Sequence, residues 1–505
     1  MITLPWLATN LGGYLRFRAA LESPEETQRA LLARYLQENT KTAFGRAHRF
    51  QEIRSTEDFQ VRVPLSTYAD FEPWIERVAG GEPNVLTRSP VRALELTSGS
   101  SAAAKRILYT AVMQREIRRA VAPWVFDLYK DRPGLALGCS YWSITPVALE
   151  EERADGPVKV GFEEDSEYLG GVWKRLVDST LAVPGSVRFA PDVETFRFLT
   201  LVHLLRRRDL TLISVWHPSF LTLLMEALPA LWDRLLQEIP PARAAELRVL
   251  GPGELTRIWP RLGLISCWGD AHAALHLEEV RRAFPGVEIQ PKGLLATEAF
   301  VTIPFAGQRP LAIRSHFFEF LEEDRSRMAH QLETGGVYAV VATTGGGLYR
   351  YRLEDRVEVT GFVGRTPSLR FLGKEGHVSD LRGEKLHESF VAGALERAFG
   401  RLGIKPRFAM LAPEDKGYVL YVEARPVPPE LERMIEEELA ANPHYRTCVA
   451  LGQLAPARIF LIEGDGFNRY LQRCRERGQR IGDVKPLALS SLPGWSSVFG
   501  GYNER

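Results

Sequence analysis

The chain has 505 residues, 45% of them hydrophobic, which is too much apolar material for one core and enough for two or three. Its 64 lysines and arginines offset 63 aspartates and glutamates, so no global field draws it to nucleic acid or to an anionic membrane. The four cysteines, Cys139, Cys267, Cys448 and Cys474, form no CxxC pair, which argues against a zinc site or a disulfide framework.

These features point to a small-molecule enzyme with reduced cysteines, expected to be a monomer in the cytoplasm. The amino terminus, MITLPWLATNLGGYLRFRAAL, starts apolar without a basic region before it. No stretch reaches the about 18 uninterrupted apolar residues that a spanning helix needs.

In SPEETQRALLARY, Ser23 is placed to cap a helix, Pro24 suits its first turn and Glu26 completes a capping box. The strand-like VRALEL runs into TSGSSAAAK, and MQREIRRAVAPWVFDLY (Met113 to Tyr129) has helical spacing. TFRFLTLVHLLRRR (Thr195 to Arg208) predicts a helix with basic residues at its negative end, and DLTLISVW (Asp209 to Trp216) an interior strand. The pairing recurs in LEEVRRAF and PGVEIQPKGLLAT, and repeated helix-then-strand order predicts an α/β architecture with largely parallel sheets.

Gly336 to Phe362 instead holds strand-like runs around a glycine turn, predicting a hairpin or small β-barrel. From about Gly376, strands such as GYVLYVEA alternate with charged helices such as PELERMIEEELA, which predicts a small α+β domain. The expected organisation is a large domain over residues 1–372 and a small one over 376–505. No internal repeat or low-complexity tract is present.

Three segments carry candidate chemistry. In TSGSSAAAK, small residues let the backbone and the hydroxyls of Thr97, Ser98, Ser100 and Ser101 approach a polyanion around Gly99, with Lys105 supplying positive charge. The segment is not the GxxxxGK[ST] loop, and a solvated serine-rich turn would look the same. In KGLLATEAF, Thr297 and Glu298 follow an apolar run, where a carboxylate could hold a phosphate-bound metal ion or simply face solvent. In LYRYRLEDRVEVTGF, Asp355 is expected in a tight polar turn between strands, either accepting from ribose hydroxyls or capping its own backbone.

Together, in this order, TSGSSAAAKRI, GLLATEAF and YRYRLEDRVEV resemble the phosphate, adenylate-contacting and ribose loops of adenylate-forming enzymes. More narrowly the chain resembles the Gretchen Hagen family of acyl acid amido synthetases, known from auxin and jasmonate conjugation in plants. Further matching segments are VPLSTYADFEPWIERVAGGEPNVLT, YWSITP, SVWHPSFL, LISCWGDAHAAL, HFFEF and FLGKEGHVSDLRGEKL. The likeness runs from about residue 20 to the end.

The resemblance implies the adenylate-forming (firefly-luciferase-like) fold. It also implies an activity in which MgATP converts a carboxylic acid to an acyl-adenylate, whose acyl group passes to an amine, usually of an amino acid. It places Thr97, Ser98, Gly99, Ser100, Ser101 and Lys105 on the β- and γ-phosphates, Thr297 and Glu298 at the α-phosphate and Mg²⁺, and Asp355 on the ribose. GQRIGDVKPLALS resembles the family's lysine-before-proline segment, which makes Lys485 the candidate for a mobile lysine meeting the α-phosphate. In such enzymes the small domain turns on a pivot, here expected near Gly373 to Gly376. No protein nucleophile is needed, in keeping with the lack of a GxSxG elbow.

Three positions depart from the family pattern, which often has glycine where Ala102 and Ala103 stand and glycine before the ribose aspartate where Glu354 stands. On sequence alone a different acceptor (coenzyme A, a carrier protein or an alcohol) and a catalytically silent binding member remain as alternatives. For the acid pocket, Trp124, Phe126 and Tyr129 are candidate lining residues and Arg115, Arg118 or Arg119 a carboxylate partner. The same spacing equally suits a core-facing aromatic stripe and a solvated basic face.

Overall fold

Residues 3–97, 105–143, 180–270, 273–323, 325–375, 378–477, 484 and 486–503 are described by a computed structural model. The chain separates into two compact units, one of Met1–Trp268, Val280–Leu353 and Val357–Arg370, the other of Gly269–Glu279, Glu354–Arg356 and Phe371–Arg505.

In the first unit, helix α1 (Thr3–Leu21) is followed by α2 (Pro24–Asn39), with Pro24 in its first turn as the sequence predicts. Ser23 stands at the cap position, but its side chain makes no capping hydrogen bond, contrary to the expected capping box. Its carbonyl accepts from the Thr27 N–H instead, so the backbone alone starts this helix. Helix α3 (Tyr68–Ala79) precedes a hairpin of β1 (Val91–Thr97) and β2 (Lys105–Thr110). That hairpin runs directly into α4 (Ala111–Asp131), which Thr110 caps by accepting from the Met113 N–H.

A parallel sheet has the order β3 (Cys139–Trp142), β4 (Leu210–Ser214), β5 (Leu264–Cys267), β6 (Glu288–Pro291). Helix α5 (Val193–Arg206) leads into β4, whose five residues are all buried, as a continuous apolar run in a covered parallel strand should be. Helix α6 (Ala274–Ala283) leads likewise into β6. Val125, Leu128 and Tyr129 of α4 pack with Leu212 and Leu264 on one face of this sheet.

The all-β element is a five-stranded sheet in the order β11 (Thr366–Lys374), β10 (Tyr351–Val363), β9 (Val337–Thr343), β7 (Phe317–Glu322), β8 (Arg325–Met328). The two strands read from Gly336 to Phe362, β9 and β10, are neighbours within it.

In the second unit a short pair, β12 (Val378–Ser379) and β13 (Leu386–His387), precedes α7 (Glu388–Leu402). Its main sheet has the order β14 (Phe408–Glu414), β15 (Gly417–Glu423), β16 (Ala455–Ile462), β17 (Gly501–Asn503), with only β15 and β16 parallel. Alternation sorts β14 between two cores. Phe408, Met410 and Ala412 join Tyr421, Tyr470 and Trp495, whereas Ala409 and Leu411 join Leu395 of α7 and Ile435 of α8 (Leu431–Leu439).

Candidate active site

The β1–β2 ladder ends on Thr97 paired with Lys105. Ser98, Gly99, Ser100, Ser101, Ala102 and Ala103 lie outside the described residues. Lys105 is half-buried, its Nζ 5.9 Å from the centre of the Tyr68 ring. The same tyrosine's hydroxyl oxygen accepts from the Arg106 N–H at 2.9 Å, so a residue at the start of α3 holds both the strand and the ammonium at the mouth of the hairpin.

Beneath the hairpin runs the glycine turn of Thr344 to Leu348. A Cβ on Gly345 would come within 2.2 Å of Val112 Cγ1, and one on Gly346 within 2.8 Å of the Leu108 carbonyl oxygen. The Thr110 hydroxyl donates to the Gly345 carbonyl at 3.2 Å, and Glu116 accepts the Gly345 N–H at 3.0 Å. Glycine is therefore required here for close packing against the hairpin's base, which composition alone does not reveal.

A second group of residues lies at the carboxyl edge of the parallel sheet, where open α/β sheets bind ligands. Strand register places Trp142, Ser214, Ser266 and Gln290 in one transverse row. Trp124 of α4 donates its indole N–H to Gln290 at 3.3 Å, and its ring centre is 6.0 Å from that of Trp142. The hydroxyls of Ser214 and Ser266 are buried and make no hydrogen bond among the described residues. Two small polar residues thus lie between large ones in this row, on the side of the sheet that α4 covers. Just beyond β6, Lys292 is 4% exposed, with its Nζ 4.6 Å from the Trp216 ring centre and 5.9 Å from that of Trp142.

None of Ser214, Ser266 and Lys292 is evident as a candidate from the motifs. The available signal is a serine following isoleucine near the end of each of two apolar strands, DLTLISVW and LISCW. The aromatic stripe of α4 is divided: Trp124 and Tyr129 are buried, while Phe126 is half-buried against Tyr14, ring centres 4.7 Å apart. Its arginines also diverge, Arg118 toward Tyr109 and Arg92 of the hairpin, and Arg119 toward Arg34 and Tyr35 of α2. Burial pulls both below the usual guanidinium range.

From β6 the chain enters a tight turn. Leu295 and Phe300 bridge, and the Ala296 N–H donates to the Ala299 carbonyl at 3.0 Å, which leaves Thr297 and Glu298 at the tip. Both are half-buried, and the Glu298 carboxylate has no hydrogen bond or ion pair among the described residues. No cluster of three or more metal-ligating side chains exists among those residues. Glu298 therefore suits an ion held mainly by phosphates and water, the usual habit of Mg²⁺.

Asp355 is not in a turn, as the sequence had suggested, but inside β10 and 3% exposed. Tyr351, Leu353, Asp355, Val357 and Val359 alternate on the buried side, so the strand period decides its place. Lys374 Nζ is 3.8 Å from its carboxylate. The irregularity lies one residue earlier. Glu354 has φ of 63° and accepts the Glu375 N–H at 2.6 Å. A left-handed backbone at that position gives glycine there a physical reason, which this chain overrides with glutamate. Asp355 belongs to the second unit, while Thr97, Lys105, Thr297 and Glu298 belong to the first. Lys485 lies outside the described residues.

Residues 14–247, 310–374 and 394–492 match the GH3 family N-terminal, central and C-terminal domains. The chain belongs to the GH3 family. Among curated GH3 relatives it is 22% identical over 536 residues to indole-3-acetic acid-amido synthetase GH3.3 of Arabidopsis thaliana, covering 92% of this chain and 89% of that protein. It is also 22% identical over 511 residues to indole-3-acetic acid-amido synthetase GH3.8 of Oryza sativa subsp. indica, covering 86% and 83%. The solved structure of GH3.15 acyl acid amido synthetase superposes with a TM-score of 0.83 at 19% identity over 97% of this chain and 98% of that one. The fold is thus that of the GH3 family. Among the described residues, no helix is long and apolar enough to cross a membrane.

Proposed function

We propose that the protein is an ATP-dependent acyl acid amido synthetase: it converts a carboxylic acid to an acyl-adenylate with release of pyrophosphate, then transfers the acyl group to an amine, that of an amino acid, to form an amide. The observation that carries this reading is the match to all three GH3 domains on a chain with the GH3 fold along nearly its whole length.

A carboxylate is a poor electrophile; bonding one of its oxygens to the α-phosphorus of ATP, with pyrophosphate leaving, gives it AMP as a good leaving group, so the protein's task is to orient and neutralise phosphates. The hairpin hydroxyls from Thr97 to Ser101 and Lys105 would hold the β- and γ-phosphates, Thr297 the α-phosphate, and Asp355 the ribose. Mg²⁺, with Glu298 as its protein carboxylate, would supply further neutralising charge. Lys485 is assigned to the α-phosphate in the first half-reaction. The acid is assigned to the sheet edge at Ser214 and Ser266, near Trp124 and Trp142, where unpartnered hydroxyls and indole rings suit a carboxylic acid with an apolar body. The chain is proposed to act as a monomer on small molecules in the cytoplasm, a reducing compartment that agrees with four buried free cysteines.

The test is ATP–pyrophosphate exchange with an aromatic and aliphatic acid panel, followed by addition of amino acids or coenzyme A. Acid-dependent exchange and amide product support the proposal. A thioester instead of an amide would change the acceptor, and nucleotide binding without exchange under any acid would make the chain a silent member.

A further inference from the structure

We propose that a cleft in the second unit, between β10 and β11 and the first turns of α7 and α9 (Pro443–Ala450), binds the carboxylate of a small organic acid or amino acid through Arg356, His387, Ser389 and His444. The cleft has a volume of about 440 Å³, within the roughly 300–1,000 Å³ of small-ligand sites. All of its lining residues belong to the second unit, and none is an aspartate or a glutamate.

The walls are held by contacts of their own. On one side β11 lies close on the start of α7, where a Cβ on Gly373 would come within 3.1 Å of Ser389 Cβ. On the other, Asn442 caps α9 by accepting the N–H groups of His444 and Tyr445 at 2.9 and 3.1 Å. Tyr445 is fully buried and its hydroxyl donates to Glu436 of α8 at 2.8 Å, which ties that turn to the core.

The polar lining, in contrast, has no internal partners. Arg356, His387 and Ser389 are half-buried, and their side chains make no hydrogen bond or ion pair among the described residues. His387 stands at the cap position of α7 without capping it, so the Ser389 N–H in that first turn has no partner within the helix and none from the cap. The acids nearest in sequence are engaged elsewhere: Glu384 with Tyr418 and two backbone N–H groups, Glu388 with the Ala488 N–H.

Charge and shape select the ligand. Burial, and after it the Arg356 guanidinium, hold His387 below the usual imidazole range, with Glu375 and Lys385 acting in opposite senses. A neutral imidazole offers an N–H donor without charge, which leaves Arg356 as the one charge of the half-buried lining and matches it to a monoanion. Leu372, Phe390 and Pro443 give the same cleft an apolar side, so a bare ion would leave it unfilled, whereas a carboxylate on a short apolar body fits. Arg356 follows Asp355 along β10, and alternation turns it to the other side of the strand, so this cleft is distinct from the place assigned to the ribose.

An organic acid and an amino acid share this chemistry. An amino acid here would be the acceptor of the activity proposed above, an assignment that rests on that reading, whereas carboxylate binding itself does not.

The test titrates the full chain, without ATP or Mg²⁺, with three probes followed by calorimetry: L-leucine, 4-methylpentanoate, which is leucine without its amine, and 3-methylbutylamine, which is leucine without its carboxylate. Wild type is expected to bind at least one of the two carboxylates saturably and not the amine. Binding of leucine alone identifies an amino acid, and binding of 4-methylpentanoate, with or without leucine, a plain carboxylate. Arg356→Gln is expected to lose about tenfold or more in affinity. His444→Ala, on the exposed rim, should weaken binding without touching the fold. Ser214→Ala, at the sheet edge assigned to the acid, should leave the titration unchanged. Absence of saturable carboxylate binding by wild type, equal binding of the amine, an Arg356→Gln titration equal to wild type, or loss of binding in Ser214→Ala would each overturn the proposal. Pyrophosphate exchange needs no acceptor, so it tests the proposed activity separately from this cleft.

Discussion

Thr97 and Lys105 face each other across the last rung of the β1–β2 hairpin, with Tyr68 bonded to the next residue and its ring beneath the ammonium. The lysine is thus oriented by an exposed-edge aromatic contact rather than by an ion pair or a packed core. Lys105→Ala is expected to lower acid-dependent pyrophosphate exchange by about 100-fold or more, as loss of a phosphate-stabilising charge does. Its Tm should shift by only a degree or two. Matching losses of stability and exchange would count against the assignment.

Glu354 carries a left-handed backbone immediately before the buried Asp355. For a residue with a Cβ that conformation costs roughly 1–2 kcal/mol, partly offset on replacement by the extra freedom glycine has when unfolded. Glu354→Gly is therefore expected to be neutral or stabilising by up to about 1 kcal/mol, and Glu354→Val, branched at Cβ, to be destabilising. Removing a carboxylate beside Asp355 should also leave ATP affinity equal or tighter. Denaturant melts and nucleotide titrations of the two variants check the order, and a glycine variant less stable than the valine one would refute it.

Glu116 links α2, the glycine turn and the segment before β7 through Tyr35, Gly345 and His316, all in the interior. Glu116→Ala leaves these groups without their acceptor and opens a cavity, for an expected loss of about 3–5 kcal/mol. Tyr35→Phe removes one charged hydrogen bond and should cost about 1.5–3 kcal/mol. Because Thr110 at the base of the hairpin bonds to Gly345, the Glu116 variant should lose exchange activity even where it remains folded.

Much of the architecture is legible in local pattern. The fully buried β4 follows from an uninterrupted apolar run, and the two faces of β14 from strict alternation. The misplacement of Asp355 has a related cause: LEDR looks like a turn by composition, but the alternation of Tyr351, Leu353, Asp355 and Val357 continues through it, and the period prevails over residue preference. Ser23 failed as a side-chain cap because its suitability depends on backbone angles that composition does not specify. The row that brings Ser214 beside Ser266 is hidden for a different reason. It is assembled across strands distant in sequence, so no spacing along the chain marks it.

Acid should act in part through Glu384. This buried carboxylate accepts the Tyr418 hydroxyl and the N–H groups of Leu381 and Arg382, at 2.7 and 2.8 Å for the latter two. Burial opposes its ionisation, but these donors outweigh burial and hold its carboxyl below the ordinary 4.5. A depressed folded value means that the stabilisation is complete above the unfolded value and is lost as pH falls through the folded one. Wild type is therefore expected to lose stability below about pH 4.5, and Glu384→Gln to show a lower plateau at neutral pH with a flatter acid limb. Thermal melts between pH 3 and 7 decide, and parallel limbs for the two proteins would exclude Glu384 as the responsible group.

Four residues after Lys485 the chain is anchored by an isolated bridge. Leu489 bridges Leu411 in parallel, the Leu411 N–H donates to the Ala488 carbonyl at 2.8 Å, and the Ser490 N–H donates to the Leu411 carbonyl at 2.8 Å. The Ala488 N–H also donates to Glu388 at the start of α7. The backbone of Ala488 to Ser490 is thus stitched to β14. Lys485→Ala is expected to lower pyrophosphate exchange by about 100-fold, through loss of a charge at the α-phosphate. Amide formation from a supplied acyl-adenylate should remain within a few-fold of wild type, because the second half-reaction transfers the acyl group after pyrophosphate has left. Measuring both half-reactions on one preparation separates this from a folding defect, and equal damage to the two would remove Lys485 from the first half-reaction's machinery.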